Sequence, residues 1–325
     1  MGHPTRFLAG TLVSYGRKTA QTALLYPPSE PGVATPGSTR YVIFVGGLSD
    51  GLLFADYVRP LALALAEHGW RTAHALLSSS LIGWGTGSVA RDAAELRRLA
   101  AYLEREHGSC GAVILGHSTG CQDAVQCARD WGAETAEDGE SADGSEGEGG
   151  ESGAGAGASR PRSPLVPRLL GVILQAPVSD REAFLQEPGN RRSLEEAQAA
   201  LARGEPDAFV RTITPGVPLS AWRANALLSR NGADDMFSVD FDDGELERAL
   251  AALRGLPSLF VLGATDACYP PGTDVEKQGR RLQAHAGDRA EAIVLPGGHS
   301  QMGSEAELVR RVVDWLQRTY GDHTQ

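Results

Sequence analysis

The chain has 325 residues, with 30 lysines and arginines against 41 aspartates and glutamates, for a net charge of −11. Residues 133–158 hold eight of those acids and no base, which leaves 33 acids against 30 bases elsewhere. A body so close to neutral excludes the basic face that a nucleic acid requires, and no apolar run approaches the length of a membrane span. That length suits one large hydrophobic core.

In chain order, residues 7–27 read as two short strands joined by a turn near Tyr15-Gly16. A Pro/Gly loop follows to residue 38. Residues 41–45 form a buried strand, 54–68 a helix stopped by Gly69, and 72–77 another strand. Residues 88–106 are a strongly periodic helix, with Val89, Ala93, Leu96, Leu99 and Leu103 on one face. Residues 111–115 are a short β-branched run that leads into Gly116-His117-Ser118-Thr119-Gly120 and then a helix from 121 to 131. Strands follow at 169–175, 258–262 and 291–295. The last helix spans 305–318, with Ser304 and Glu307 as its expected capping box. Strands alternating with helices of this length predict a mostly parallel central sheet with helices on both faces.

Two segments interrupt the alternation. Residues 133–163 are Gly, Glu and Ser with few large apolar groups, so they are expected to be a disordered insertion. They join the helix at 121–131 to the next strand, at the sheet edge opposite the carboxyl ends of the strands. Residues 179–255 leave the carboxyl end of a strand and are mostly helical, which makes them the expected cap over the site. The whole chain, 1–325, is expected to form a single domain.

Strand, G-x-S-x-G and helix is the layout of a nucleophile elbow, in which a sharp turn lifts the serine hydroxyl to the end of its strand. The first candidate nucleophile is Ser118. Gly47-Leu48-Ser49-Asp50-Gly51 also matches, but too few strand and helix units precede Ser49. A nucleophilic serine needs a base, and the base needs a carboxylate to orient it. His299, in Pro296-Gly297-Gly298-His299 after the last strand, is the expected base. Asp266, after the strand at 258–262, is the expected carboxylate, with Asp274 as its rival. The oxyanion needs two backbone donors. Thr119 N–H is one, and Leu48 N–H is the other, with Gly47 as fallback. His117 is expected to point away from the site and to pack or hydrogen-bond locally. Gly83-Trp84-Gly85-Thr86-Gly87 lacks nucleotide-loop spacing and reads as a rim loop, with Trp84 as pocket wall or cap contact.

Cys110, Cys121, Cys127 and Cys268 form no C-x-x-C pair and read as buried structural thiols, neither a disulfide framework nor a metal site. No cofactor is expected. The first six residues lack the pattern of a secretion signal, so a soluble cytoplasmic protein is the expectation.

The glycine elbow, Asp266 and His299 resemble those of the α/β-hydrolases over nearly the whole chain. A narrower resemblance rests on Gly46-Gly47-Leu48-Ser49-Asp50-Gly51, Leu77-Ser78-Ser79-Ser80 with Gly83-Trp84-Gly85-Thr86-Gly87, Gly116-His117-Ser118-Thr119-Gly120-Cys121-Gln122-Asp123, and Asp234-Asp235-Met236-Phe237-Ser238-Val239-Asp240. Together these resemble a family of fungal siderophore esterases with plant relatives of unknown function. The resemblance implies cleavage of ester bonds in a hydroxamate siderophore of the fusarinine C or triacetylfusarinine C type, in the cytoplasm, releasing imported iron. A ferric siderophore is the small-molecule partner it implies. Asp235 and Phe237, from the last motif, join Trp84 as candidate pocket residues. The acidic insertion departs from the family pattern. A general carboxylesterase or thioesterase, and a ligand-binding receptor on a hydrolase scaffold, are the alternatives.

Overall fold

The computed structural model describes residues 9–26, 39–140 and 168–321. Two antiparallel strands open the chain, β1 (Thr11–Ser14) and β2 (Thr22–Leu25). Then come β3 (Thr39–Val45), α1 (Val58–Glu67), β4 (Trp70–Leu76), α2 (Val89–His107), β5 (Ser109–His117), α3 (Gly120–Glu140) and β6 (Leu169–Gln175). The long excursion after β6 contains α4 (Asp180–Leu185), α5 (Asn190–Ala202), a hairpin of β7 (Phe209–Val210) and β8 (Leu219–Ser220), α6 (Ala221–Leu228) and α7 (Asp243–Leu250). The chain ends with β9 (Ser258–Gly263), α8 (Val275–Ala286), β10 (Ala290–Leu295) and α9 (Glu305–Tyr320).

Eight strands form one sheet in the order β1-β2-β4-β3-β5-β6-β9-β10, parallel from β4 onward. Period-two alternation assigns each strand residue to a face. Tyr41, Ile43 and Val45 of β3 pack under α2 and α3, whereas Val42 and Phe44 pack under α1 and α9. Both faces are therefore apolar, as a sheet covered on both sides requires. Helix ends follow local chemistry. The Ser88 hydroxyl accepts from Arg91 N–H at the start of α2, and Gly108 ends that helix at φ 65°.

Three details differ from the expected pattern. α3 runs to Glu140, well beyond residue 131 and into the segment read as disordered, because Ala and Glu favour helix whatever their hydrophobicity. Residues 141–163 of that segment lie outside the described residues, as does the loop at 27–38. Ser304 precedes α9 but makes no side-chain cap. Glu307 instead reaches Arg310 and Arg311, at 2.6 and 3.1 Å. The excursion from 179 to 255 also divides in two. α5, α6 and the small hairpin share an apolar cluster with Trp84 on the rim of the sheet. Met236, Phe237, Phe241, Leu246, Leu250 and Leu253 instead join the core between the sheet and its helices, beside Leu262 and Leu282.

Candidate active site

β5, β6, β9 and β10 are parallel neighbours, so their carboxyl ends meet at one rim. Each contributes a residue there. At the end of β5 the chain turns so sharply that Ser118 takes φ 54°, a conformation that costs a non-glycine residue about 1–3 kcal/mol. Neighbouring contacts hold it there: its N–H donates to Gln175 O on β6 at 3.0 Å, and Cys121 N–H donates to its carbonyl at 2.9 Å. A Cβ at Gly116 would stand 2.1 Å from Gly120 O, so only glycine fits beneath the turn.

His299, on the loop after β10, places Nε2 2.9 Å from Ser118 Oγ. Its Nδ1 lies 2.8 Å from Asp266 Oδ2, just past β9. The Asp266 side chain is fully buried, and Cys268 N–H donates to its other oxygen at 2.9 Å. Burial alone would raise the Asp266 pKa, but the hydrogen bond and charge of His299, with Cys268, hold it below the usual value. Burial disfavours the imidazolium of His299, yet Asp266 and the sulfur of Cys268 outweigh it and raise the pKa above that of free histidine. A hydroxyl bonded to an imidazole, itself bonded to a buried carboxylate, can deliver an alkoxide-like nucleophile and store its proton.

The loop after β3 closes the site from the other side. A Cβ on Gly47 would come 2.6 Å from Ser118 Cβ, so the backbone approaches the serine only because that residue is glycine. Gly47 N–H donates to Asp50 Oδ2 at 2.7 Å. That bond removes Gly47 as the fallback oxyanion donor. The N–H groups of Leu48 and Thr119 have no acceptor among the described residues. Ser49 is no rival nucleophile, since its hydroxyl accepts from Trp84 Nε1 at 2.9 Å. Asp274 caps α8 through Lys277 N–H.

Gln175 is the site residue that sequence reasoning missed. Its amide donates to His299 O at 2.9 Å, and its Oε1 accepts from Tyr57 OH at 3.0 Å and from His117 Nδ1. One side chain thus ties the elbow, the histidine loop and β6 together. The available signal was a lone polar residue closing the apolar strand Leu169–Gln175. His117 makes the expected local contacts, stacking on Phe54 with ring centroids 5.0 Å apart, but it does not point away. Its ring lies 5.1 Å from that of His299. Burial and then the charge of His299 push its pKa down to about 3, so it is neutral.

The rim encloses a pocket of about 570 Å³ whose wall includes Phe54, Val178, Asp180, Phe184 and Glu187, with Ser118 and His299 at its base. The three candidate pocket residues from the motifs are elsewhere. Trp84 is no wall of this pocket but makes the cap contact that was its other expected role. Asp235 is buried with Arg181, Ser179 and Asn231 as partners. Phe237 belongs to the core, and its backbone carbonyl accepts from Gln278 of α8. Of the four thiols, Cys121 and Cys127 are buried as expected, but Cys110 is exposed and Cys268 half-buried. Among the described residues, the one grouping with metal-ligand spacing is Asp266, Cys268 and His299.

Strand order, elbow and strand-end residues together define an α/β-hydrolase-fold protein. Solved structures agree: a siderophore hydrolase, EstB, from Aspergillus fumigatus superposes with a TM-score of 0.72 at 23% identity, covering 98% of this chain and 99% of that one. The chain belongs to the family described as "Protein of unknown function (DUF1749)", whose model matches residues 6–317. Two curated relatives are each 29% identical. Esterase AN6793 of Emericella nidulans matches 86% of this chain and 87% of its own length. Fusarinine C esterase sidJ of Aspergillus fumigatus matches 85% and 88%.

Proposed function

We propose that this protein is a serine ester hydrolase with Ser118, His299 and Asp266 as its catalytic triad. The observation that carries this reading is the unbroken chain of two hydrogen bonds, 2.9 and 2.8 Å, from Ser118 through His299 to Asp266. In the proposed cycle His299 takes the Ser118 proton as the hydroxyl attacks the ester carbonyl. The tetrahedral oxyanion is received by the N–H groups of Thr119 and Leu48. His299 then protonates the departing alkoxide. A water enters, His299 removes its proton, and the acyl group leaves as a carboxylic acid. Asp266 keeps the imidazole in the correct tautomer and stabilises the imidazolium.

The substrate class we propose is an ester of a hydroxamate siderophore of the fusarinine C type, cleaved in the cytoplasm to free its iron. Its support is the named activity of the two Aspergillus fumigatus proteins together with the family motifs on both sides of the site. No described helix is long and apolar enough to cross a membrane.

The test compares wild type with Ser118→Ala on a short p-nitrophenyl ester and on fusarinine C, with products read by mass spectrometry. Wild type is expected to release ester fragments from both, and the variant to lose at least about 10⁴-fold in kcat with an unchanged circular dichroism spectrum. Equal turnover in the variant removes Ser118 as the nucleophile. Cleavage of simple esters with fusarinine C left intact removes the siderophore and leaves a general carboxylesterase.

A further inference from the structure

Cys268 stands two residues after Asp266 in the turn that follows β9. The turn is held from several directions. Cys268 N–H donates to Asp266 Oδ1 at 2.9 Å, and Tyr269 N–H donates to Asp266 O at 3.3 Å. The Gln186 amide reaches Cys268 O at 3.3 Å from the cap side. The thiol is free and half-buried, and it borders the same pocket as Ser118.

One nitrogen of His299, one carboxylate oxygen of Asp266 and Sγ of Cys268 all lie within 4.8 Å of one another. Zinc bonds sulfur at about 2.3 Å, imidazole nitrogen at about 2.0–2.1 Å and carboxylate oxygen at about 2.0–2.2 Å. Tetrahedral angles then space the ligand atoms roughly 3.3–3.8 Å apart. The three atoms need to close by no more than about 1.5 Å to meet that geometry. A mixed S, N and O set favours a thiophilic ion over magnesium or calcium, which prefer all-oxygen shells.

We propose that Cys268, Asp266 and His299 form an inhibitory site for a thiophilic divalent cation, for which zinc is the probe. Binding displaces to solvent the thiol proton and any proton held on the coordinating imidazole nitrogen, so that His299 binds as a neutral ligand. Coordination through Nε2 breaks the bond to Ser118, and coordination through Nδ1 breaks the bond to Asp266. Either way the serine loses its base. The binding site goes beyond the ester-hydrolase reading, while the silencing of turnover rests on it.

The experiment titrates ZnCl₂, with MgCl₂ as the control salt, into wild type, Ser118→Ala, Cys268→Ala and Cys268→Ser by isothermal calorimetry. In parallel, p-nitrophenyl ester turnover and fluorophosphonate labelling of Ser118 are followed, each protein normalised to its own metal-free rate. Wild type and Ser118→Ala are expected to bind one zinc per chain, and both Cys268 variants to bind at least tenfold more weakly. Turnover and labelling in wild type should fall with occupancy and return with EDTA. A zinc affinity in both Cys268 variants equal to that of wild type overturns the site. Zinc saturation with labelling intact overturns the inhibition. A wild type that turns over no ester even without metal defeats the hydrolase reading, while the calorimetry still decides the metal site.

Discussion

Two polar clusters share the loop after β3, and Leu48 borders both. One is the rim of Ser118, His299 and Asp266, which opens into a pocket of about 570 Å³. The other is a seam lined by Asp92, Asp123 and Arg223 around a cavity of about 20 Å³, the size of a single water. In the seam Arg223 Nη1 reaches both oxygens of Asp234, at 2.7 and 2.6 Å, and Nε donates to Trp84 O at 3.0 Å. Arg223 belongs to α6 of the cap, whereas Asp92 and Asp123 belong to α2 and α3 of the scaffold. The rim's groups are arranged so that charge can develop and be passed on. The seam's groups are shut away from water, and burial pushes the carboxyls of Asp92 and Asp123 above their usual range. The comparison teaches that the same residue types can line up for proton transfer where a solute can enter and can pack two layers together where nothing can.

The strongest way to break the comparison is Arg223→Met. Removing one partner of a buried ion pair leaves the other charge without compensation and costs about 3–5 kcal/mol. Asp234 would be that charge, with its side chain wholly buried. We expect a large fall in the midpoint of urea unfolding, whereas the double variant Arg223→Met with Asp234→Leu should recover most of it. Activity per folded molecule should fall far less than stability. A single variant as stable as wild type would mean that the seam does not fasten the cap.

A smaller effect, on the other side of the comparison, is expected from Gln175→Glu. The glutamate keeps an acceptor for Tyr57 and His117 but loses the N–H that donates to His299 O. Misplacing a catalytic group by about 1 Å costs up to about 100-fold. We therefore expect kcat to fall about 10- to 100-fold with KM little changed and fluorophosphonate labelling slowed in step. A purely structural role for Gln175 would lower the melting temperature and leave labelling of the folded fraction unchanged.

The rim was legible in the sequence because each of its residues follows a strand directly. Ser118 comes after β5, Asp266 after β9 and His299 after β10, so strand order alone brought them together. Asp235 and Phe237 misled because a motif carries no record of which layer it packs against. The seam and the Gln175 hub were illegible for a related reason. Gln175 and His299 stand 124 residues apart, and no local pattern links an amide to a distant carbonyl. Caps show the same limit at short range. Ser304 and Glu307 have capping-box spacing, but two arginines hold Glu307. The box that forms, Asp242 with Glu245, begins α7. Spacing permits a hydrogen bond, and competing partners decide whether it is made.

Asp180 stands between the two clusters and sharpens the distinction through pH. It lines the pocket, yet it is fully buried, and its Oδ2 accepts from Gln122 at 2.8 Å. Burial, then the charge of Asp234, raises its pKa to about 8, against the pull of Arg223 and His299. In the unfolded chain an aspartate titrates near pH ~3.9. The folded state thus holds the proton more tightly, and this contribution to stability is complete below the unfolded value and is lost as pH rises through 8. The raised pKa of His299 acts in the same direction. The depressed values of His74 and His117, both about 3, act in the opposite direction, but only below the ordinary histidine range. The melting temperature should therefore decline between about pH 6.5 and 8, where Asp180 and His299 act together and the two other histidines no longer oppose them, and decline more gently from pH 8 to about 10 through His299 alone. Asp180→Asn retains a carbonyl for Gln122 and has no proton to lose, so its melting curve should be flatter over the first of these intervals. An unaltered slope in that variant would show that Asp180 is already ionised in the folded protein at neutral pH.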